Sequence, residues 1–163
     1  MTGAAAGRIR LIRAGAPLNT CCTTGSARVG GLVGKNVIGL LPGRDPVLRN
    51  ETVIVGAHYD HLGVSVPDQN GDSIYNGFSD NAAGVAMLLA IAEAMRPQPP
   101  ARSVVFLFFT GEERGLLGSS YFAATAPIPT GRIVGLINLD AGAPPVPPVS
   151  WRIAGGTETP LGR

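Results

Sequence analysis

The sequence predicts an α/β fold, a three-layer sandwich with a mostly parallel mixed sheet. Apolar runs of strand length alternate with segments whose apolar residues recur every three or four positions, as in amphipathic helices. The run over 103–110 shows no polar alternation, which is typical of a strand covered on both faces. The chain also contains 23 glycines and 14 prolines, which supply the many turns that such a fold needs.

Individual elements follow from the same patterns. Residues 1–35 show little periodicity, so we expect a loose N-terminal arm followed by one domain over residues 36–163. Helices are predicted from a cap at Ser79 or Asp80 to Pro97, and over 116–124. A long polar loop is expected over 63–79. Strands are predicted over 36–41, 52–57, 103–110 and 133–139, the last three of them buried, with a short final strand over 150–154.

Composition excludes several functional classes. A chain of 163 residues, 45% hydrophobic and 15% charged, has the size and composition of one globular domain. The net charge of +2 is small and dispersed, so no nucleic-acid partner is expected. No apolar run approaches the ~20 residues of a membrane span. The chain as written shows no export leader, and its localisation and oligomeric state stay open.

One apolar run ends in groups that bind metal ions. Residues 53–57 are followed by His58, Tyr59, Asp60 and His61. Side chains two apart on a strand face the same side, so His58 and Asp60 are expected to point together. A carboxylate beside a ligating histidine commonly orients its ring. Taken alone, the stretch equally fits a half-buried strand that ends in a polar turn.

Other predicted strands also end in potential ligands. Glu112 and Glu113 follow the strand over 103–110, Asp140 follows the strand over 133–139, and Asp80 opens a helix. In open α/β sheets, ligands bind beyond the carboxyl ends of the strands, so these groups are expected at one edge with His58. One imidazole and several carboxylates suit zinc or a similar divalent ion, and an aspartate can bridge two ions.

Four motifs now carry a family resemblance. They are GAHYDH at 56–61, NGFSDNAAG at 76–84, TGEERGLLGS at 110–119 and NLD at 138–140. In this order they resemble the co-catalytic di-zinc aminopeptidases of peptidase clan MH, of the bacterial leucyl aminopeptidase type. The resemblance implies a mixed eight-stranded sheet and hydrolysis of peptide bonds at a free amino terminus. Family members are often secreted or periplasmic.

The resemblance also implies roles for individual residues. Separately from the resemblance, Tyr75 and Phe78 are candidates to line a pocket near Asp80. The implied zinc ligands are His58, Asp80 and Asp140 for the first ion, with Asp80 bridging to a second ion that Glu113 also holds. Glu112 would be the general base, and Asp60 would orient His58.

Two features depart from the family pattern. The family binds its second zinc with one more, downstream histidine, whereas this sequence contains only His58 and His61. His61 belongs to the first motif and is expected to be structural, so the second site is expected to be weak or empty. We therefore expect a C-terminally incomplete member of the family. One alternative is an inactive fragment or a non-catalytic interaction module of the same fold. Another is a different amide chemistry on the same fold, that of a carboxypeptidase or of a glutaminyl cyclase.

Overall fold

The structure, a computed structural model, describes residues 10–11, 24–29 and 32–140. Its main element is a six-stranded sheet, and a separate two-stranded hairpin is formed by β5 (Gly63–Val64) and β6 (Ile74–Tyr75). Two α-helices are described, α1 (Ala83–Met95) and α2 (Leu117–Thr125). The strands of the large sheet are β1 (Arg10–Leu11), β2 (Thr24–Val29), β3 (Leu32–Leu41), β4 (Thr52–His58), β7 (Ser103–Phe109) and β8 (Ile133–Asn138).

The sheet is mixed, with three parallel strands at the end that carries the candidate site. The strand order is β1-β3-β7-β4-β8, and β2 also pairs with β3. Strand β4 runs parallel to both β7 and β8, whereas β3 runs antiparallel to β7. His58 is in register with Phe109, and Gly56 is in register with Asn138. The carboxyl ends of β4, β7 and β8 therefore meet at one edge, as predicted.

Both faces of the central strands are covered, which makes the three layers. On one face, Ile54, Leu107 and Phe122 of α2 belong to one buried cluster. On the other face, Val55, Phe106 and Leu88 of α1 belong to a second cluster. Burial of such a side chain contributes roughly 1.5–3 kcal/mol. Because both faces of β4 and β7 are buried, these strands need no polar alternation, and the predicted α/β sandwich is confirmed.

Strand β8 differs from its prediction as a buried strand. Val134 and Leu136 are each 52% exposed, because β8 is the last strand of the sheet within the described residues. The strand predicted over 36–41 begins earlier in the structure, at Leu32, and pairs with β1 and β2, which lie in the segment expected to be a loose arm. Strands β1 and β2 contain mostly small and polar residues, so the hydrophobic pattern of the sequence did not predict them. The predicted strand over 150–154 lies outside the described residues.

The start of α1 also differs from the expected cap. Helix α1 begins at Ala83, after an irregular turn over Phe78–Ala82 in which Asp80 and Asn81 are not helical. The Gly84 N–H donates to the side-chain oxygen of Asn81 at 3.1 Å. Asn81 thus supplies the side-chain acceptor that the sequence analysis assigned to Ser79 or Asp80. The Asp80 carboxylate is directed instead at His58.

Within the described residues, the irregular turn and α1 together, Phe78–Met95, have the length and composition of a membrane span, with a mean hydropathy of 1.2. The same segment packs Leu88 and Ala92 into the core against the sheet. Core helices commonly share these properties, so this segment alone is weak evidence for a membrane span.

Candidate metal centre

His58 lies at the centre of the candidate site, at the carboxyl end of β4. The strand buries its ring almost completely, with 2% of the residue exposed. Its Nε2 lies 3.0 Å from Asp80 Oδ1 and 3.3 Å from Asp140 Oδ1. The structure therefore brings together the three residues that were predicted to hold the first zinc.

Asn81 connects the two loops that carry these aspartates. Its side-chain nitrogen donates to the Leu139 carbonyl at 2.9 Å, next to Asp140. A Cβ on Gly84 would lie 2.6 Å from the same carbonyl, so only glycine allows α1 to approach the end of β8 this closely. Asn81 is buried, with 1% exposed, and it fixes the distance between Asp80 and Asp140.

Asp60 holds the other side of the site through its carboxylate. Oδ1 accepts the Glu112 N–H at 3.1 Å, and Oδ2 accepts the Glu113 N–H at 3.3 Å. The contact expected between this carboxylate and His58 Nδ1 is longer, at 3.9 Å. The nearer partner of Nδ1 is the Asp60 carbonyl oxygen, at 3.1 Å. Asp60 therefore contacts the imidazole mainly through its backbone and the two glutamates through its side chain.

The turn that carries Glu112 and Glu113 is fixed by a second buried asparagine. The Asn36 side chain accepts the Thr110 N–H at 3.0 Å and donates to the Gly118 carbonyl at 2.7 Å. A Cβ on Gly118 would overlap the Thr110 carbonyl, so the close approach requires glycine. Sequence analysis placed Asn36 in a strand and assigned it no role. Its only sequence signal was a polar residue at the start of an apolar run.

His61 lies beside Glu113 on the outer side of the site. Its Nδ1 is 2.8 Å from Glu113 Oε1, and 23% of its side chain is exposed. Its ring centroid is 6.5 Å from that of Tyr75. Phe78, the other expected pocket residue, is 73% exposed.

Charges around the site shift two pKa values. Burial lowers the pKa of the His58 imidazole, but four neighbours outweigh burial and raise it above its ordinary value: the Asp140 carboxylate, the Asp60 carbonyl, and the carboxylates of Glu112 and Asp80. Burial is the main cause that raises the pKa of Glu112, and His58 opposes the shift. Three carboxylates add to the increase, those of Asp140, Glu113 and Asp60.

The donor set fits zinc. His58, Asp80 and Asp140 each offer one ligand atom, and these atoms lie within 4.8 Å of one another. Three protein ligands of imidazole and carboxylate type, with a further position open, are typical of catalytic zinc sites. Asp80 and Asp140 have side chains that are 53% and 44% exposed, so the site is open to solvent on the side where a substrate would enter. The α/β sandwich thus places a group of donors suited to zinc at one edge of its sheet.

Comparison with known proteins gives the family. The profile of Peptidase family M28 matches residues 36–163, and the chain belongs to this family. A protein of Pyricularia oryzae named "Probable zinc metalloprotease" is 33% identical over 106 residues, which cover 64% of this chain and 20% of that protein. The chain spans about a fifth of the length of the curated relatives it matches. The expected zinc cofactor and metallopeptidase family are thus confirmed.

Solved structures agree on the fold. The zinc aminopeptidase BSAP of Bacillus subtilis is 25% identical, with a TM-score of 0.54 over 69% of this chain and 25% of that chain. Glutaminyl cyclase of Bacteroides thetaiotaomicron, bound to N-acetylhistamine, is 19% identical, with a TM-score of 0.60 over 83% of this chain and 48% of that chain. The second likeness shows the fold alone. The same fold thus occurs in a peptidase and in a cyclase.

Proposed function

We propose that this protein hydrolyses the peptide bond that follows a free amino-terminal residue, as a zinc aminopeptidase. The observation that carries the proposal is the convergence of His58, Asp80 and Asp140 at one sheet edge, with the further carboxylate of Glu112 beside them. The similarity to the Bacillus subtilis zinc aminopeptidase supports the proposal. The residue roles below are part of it.

In the proposed reaction, Glu112 is the general base. When bound, zinc supplies a Lewis acid that polarises the carbonyl and lowers the pKa of water. Glu112 accepts the proton of the attacking water and passes it to the leaving amine. Asp60 holds the backbone of Glu112 and Glu113, so that one carboxylate remains a base while the other binds metal.

The charge balance of the site supports a substrate with a free amine. Five carboxylates surround only two imidazoles, so negative charge remains after one divalent ion is bound. An α-ammonium group complements this charge, whereas a blocked amine or a terminal carboxylate does not. The five carboxylates are those of Asp60, Asp80, Glu112, Glu113 and Asp140.

Paired substrates test the proposal. Amino-acid 4-nitroanilides with a free amine are compared with their N-acetylated counterparts, in the presence of zinc. We expect cleavage of the free amines and at least tenfold slower cleavage of the acetylated forms. Equal cleavage of both would contradict recognition of the amino terminus.

The alternatives give different products on the same scaffold. A glutaminyl cyclase would convert glutaminyl peptides to pyroglutamyl peptides, and a carboxypeptidase would release residues from the carboxyl end. A non-catalytic module would bind zinc without turning over any of these substrates. Mass spectrometry of a glutaminyl peptide and its N-acetylated form after incubation distinguishes an aminopeptidase, a glutaminyl cyclase, a carboxypeptidase and a non-catalytic module.

A further inference from the structure

Tyr59 stands between His58 and Asp60 in the sequence, but its side chain reaches a different part of the sheet. Its hydroxyl donates to the carbonyl oxygen of Lys35 on β3 at 2.6 Å. Strand β7 lies between β4 and β3, so this hydrogen bond crosses one whole strand. The bond joins residues 24 positions apart, so it is a tertiary contact and not part of a local turn. It connects the end of β4 to β3.

The backbone of Tyr59 is held as well. Its N–H donates to the Phe109 carbonyl oxygen at 3.0 Å, one residue beyond the end of β4. This bond extends the parallel pairing of β4 and β7 past His58, which is in register with Phe109. Tyr59 is thus fixed at its backbone and at its hydroxyl, against two different strands. Because His58 and Asp60 are its neighbours in the chain, both hydrogen bonds limit how far they can move.

The ring of Tyr59 forms part of the wall of an apolar groove between the sheet and α1. The groove has a volume of about 440 Å³, and Tyr59, Val37 and Phe108 line it from the sheet side. Val85 and Leu89 of α1 line the facing wall. The ring is therefore placed on an apolar surface while its hydroxyl has a polar partner, an arrangement that tyrosine favours.

The position of Tyr59 affects the candidate site through both of its neighbours. On one side, His58 Nε2 lies 3.0 Å from the Asp80 carboxylate. On the other side, the Asp60 carboxylate accepts the Glu112 N–H at 3.1 Å. Misplacing a catalytic group by about 1 Å can reduce a rate roughly 100-fold. A residue that fixes this stretch therefore controls both a metal ligand and the turn that carries the proposed base.

We propose that Tyr59 is a positioning residue for the metal centre, and that its bond to the Lys35 carbonyl holds His58 and Asp60 in place. In this role it contacts neither the substrate nor the metal ion. The kinetic part of the proposal rests on the proposed function, whereas the part that concerns metal geometry does not.

Tyr59→Phe tests this role, because it removes the hydroxyl and keeps the ring in the wall of the groove. Loss of one such hydrogen bond should lower kcat roughly three- to tenfold, with KM for a free-amine 4-nitroanilide nearly unchanged. The geometry of the metal centre should change too, so the absorption spectrum of the Co²⁺-loaded variant should differ from that of the original protein. Tyr121→Phe, on α2, removes a hydroxyl outside the site and should change neither quantity.

A purely structural role predicts a different result, which a second control separates. Ile128→Val shortens a core side chain that is 2% exposed, so it should lower Tm. Its kcat and Co²⁺ spectrum, measured well below Tm, should match those of the original protein. Tyr59→Phe should differ in both quantities even if its loss of Tm is no larger. Circular dichroism confirms that each variant is folded.

Three results would overturn the assignment: a folded Tyr59→Phe protein with the original kcat and Co²⁺ spectrum, the same losses in Ile128→Val, or an original protein that binds no Co²⁺. Failure of the aminopeptidase proposal is seen separately. In that case the original protein would cleave no free-amine substrate, while Tyr59→Phe would still alter the Co²⁺ spectrum; an unaltered spectrum would overturn the positioning role as well.

Discussion

The Asp60 carboxylate accepts the backbone N–H of Glu112 at 3.1 Å, and its second oxygen accepts the next N–H along the chain. This contact connects the end of β4 to the turn after β7, two segments separated by about 50 residues. It fixes where the general base and one metal ligand enter the site. Asp60 is therefore a positioning residue in this account.

The first prediction concerns this contact. Asp60→Ala removes both acceptors for the glutamate N–H groups but keeps the backbone carbonyl that contacts His58. Hydrogen bonds to charged groups contribute about 1.5–3 kcal/mol, so kcat/KM should fall roughly 10- to 100-fold. Affinity for the first ion should change much less. Asp60→Asn retains one acceptor oxygen and should be intermediate; a larger effect on the first ion than on kcat/KM would contradict the positioning role.

Glu112→Gln tests the general base. The amide cannot accept the proton, so kcat should fall by about 10²–10⁴-fold while metal binding stays nearly intact. Steady-state kinetics and zinc titration measure the two effects. Glu93→Gln, on the exposed surface of α1, is the control and should retain full activity. An active Glu112→Gln protein would assign the proton transfer to another group.

Asn81→Ala tests the connection between α1 and β8. It leaves the Leu139 carbonyl and the Gly84 N–H without their buried partner, which should lower the free energy of unfolding by about 1–3 kcal/mol. Affinity for the first ion should fall as well, because Asp80 and Asp140 lose their common support. Urea unfolding and metal titration give both values. Asn70→Ala, in the exposed loop, should stay within about 0.5 kcal/mol of the original protein.

Asp45 gives a prediction for pH dependence. Its carboxylate accepts the N–H groups of Leu48 and Val47, each at 2.8 Å, and these bonds lower its pKa below the ordinary value. A lowered pKa in the folded state stabilises the protein above the unfolded pKa of about 3.9, and this contribution is lost as the pH falls through the folded value. Asp45→Ala should therefore lower Tm at pH 6 and have a smaller effect near pH 3. An effect that grows toward low pH would contradict this sign.

The sequence predicted the main ligands because their positions follow from local patterns. His58 is the last residue of β4, Asp140 follows the end of β8 after one intervening residue, and the register of β4 with its neighbours brings them together. Asp80 belonged to a recognisable motif. Hence the predicted first metal group could be placed before any geometry was known.

Other features required the tertiary structure. Asn36 and Asn81 look like ordinary polar residues, since their roles depend on partners 58 to 82 positions away. The exposure of β8 depends on its place at the end of the described sheet, which an apolar run does not reveal. His61 was considered structural because its motif has another known ligand. Only the tertiary structure shows that His61 lies 2.8 Å from Glu113 and packs against Gly77.

The most direct test of the central claim is anomalous X-ray scattering at the zinc absorption edge from crystals of the zinc-loaded protein. We predict a peak within bonding distance, about 2.0–2.2 Å, of His58 Nε2 and of carboxylate oxygens of Asp80 and Asp140. Zinc bound only at other residues, with these three side chains free of metal, would contradict the account.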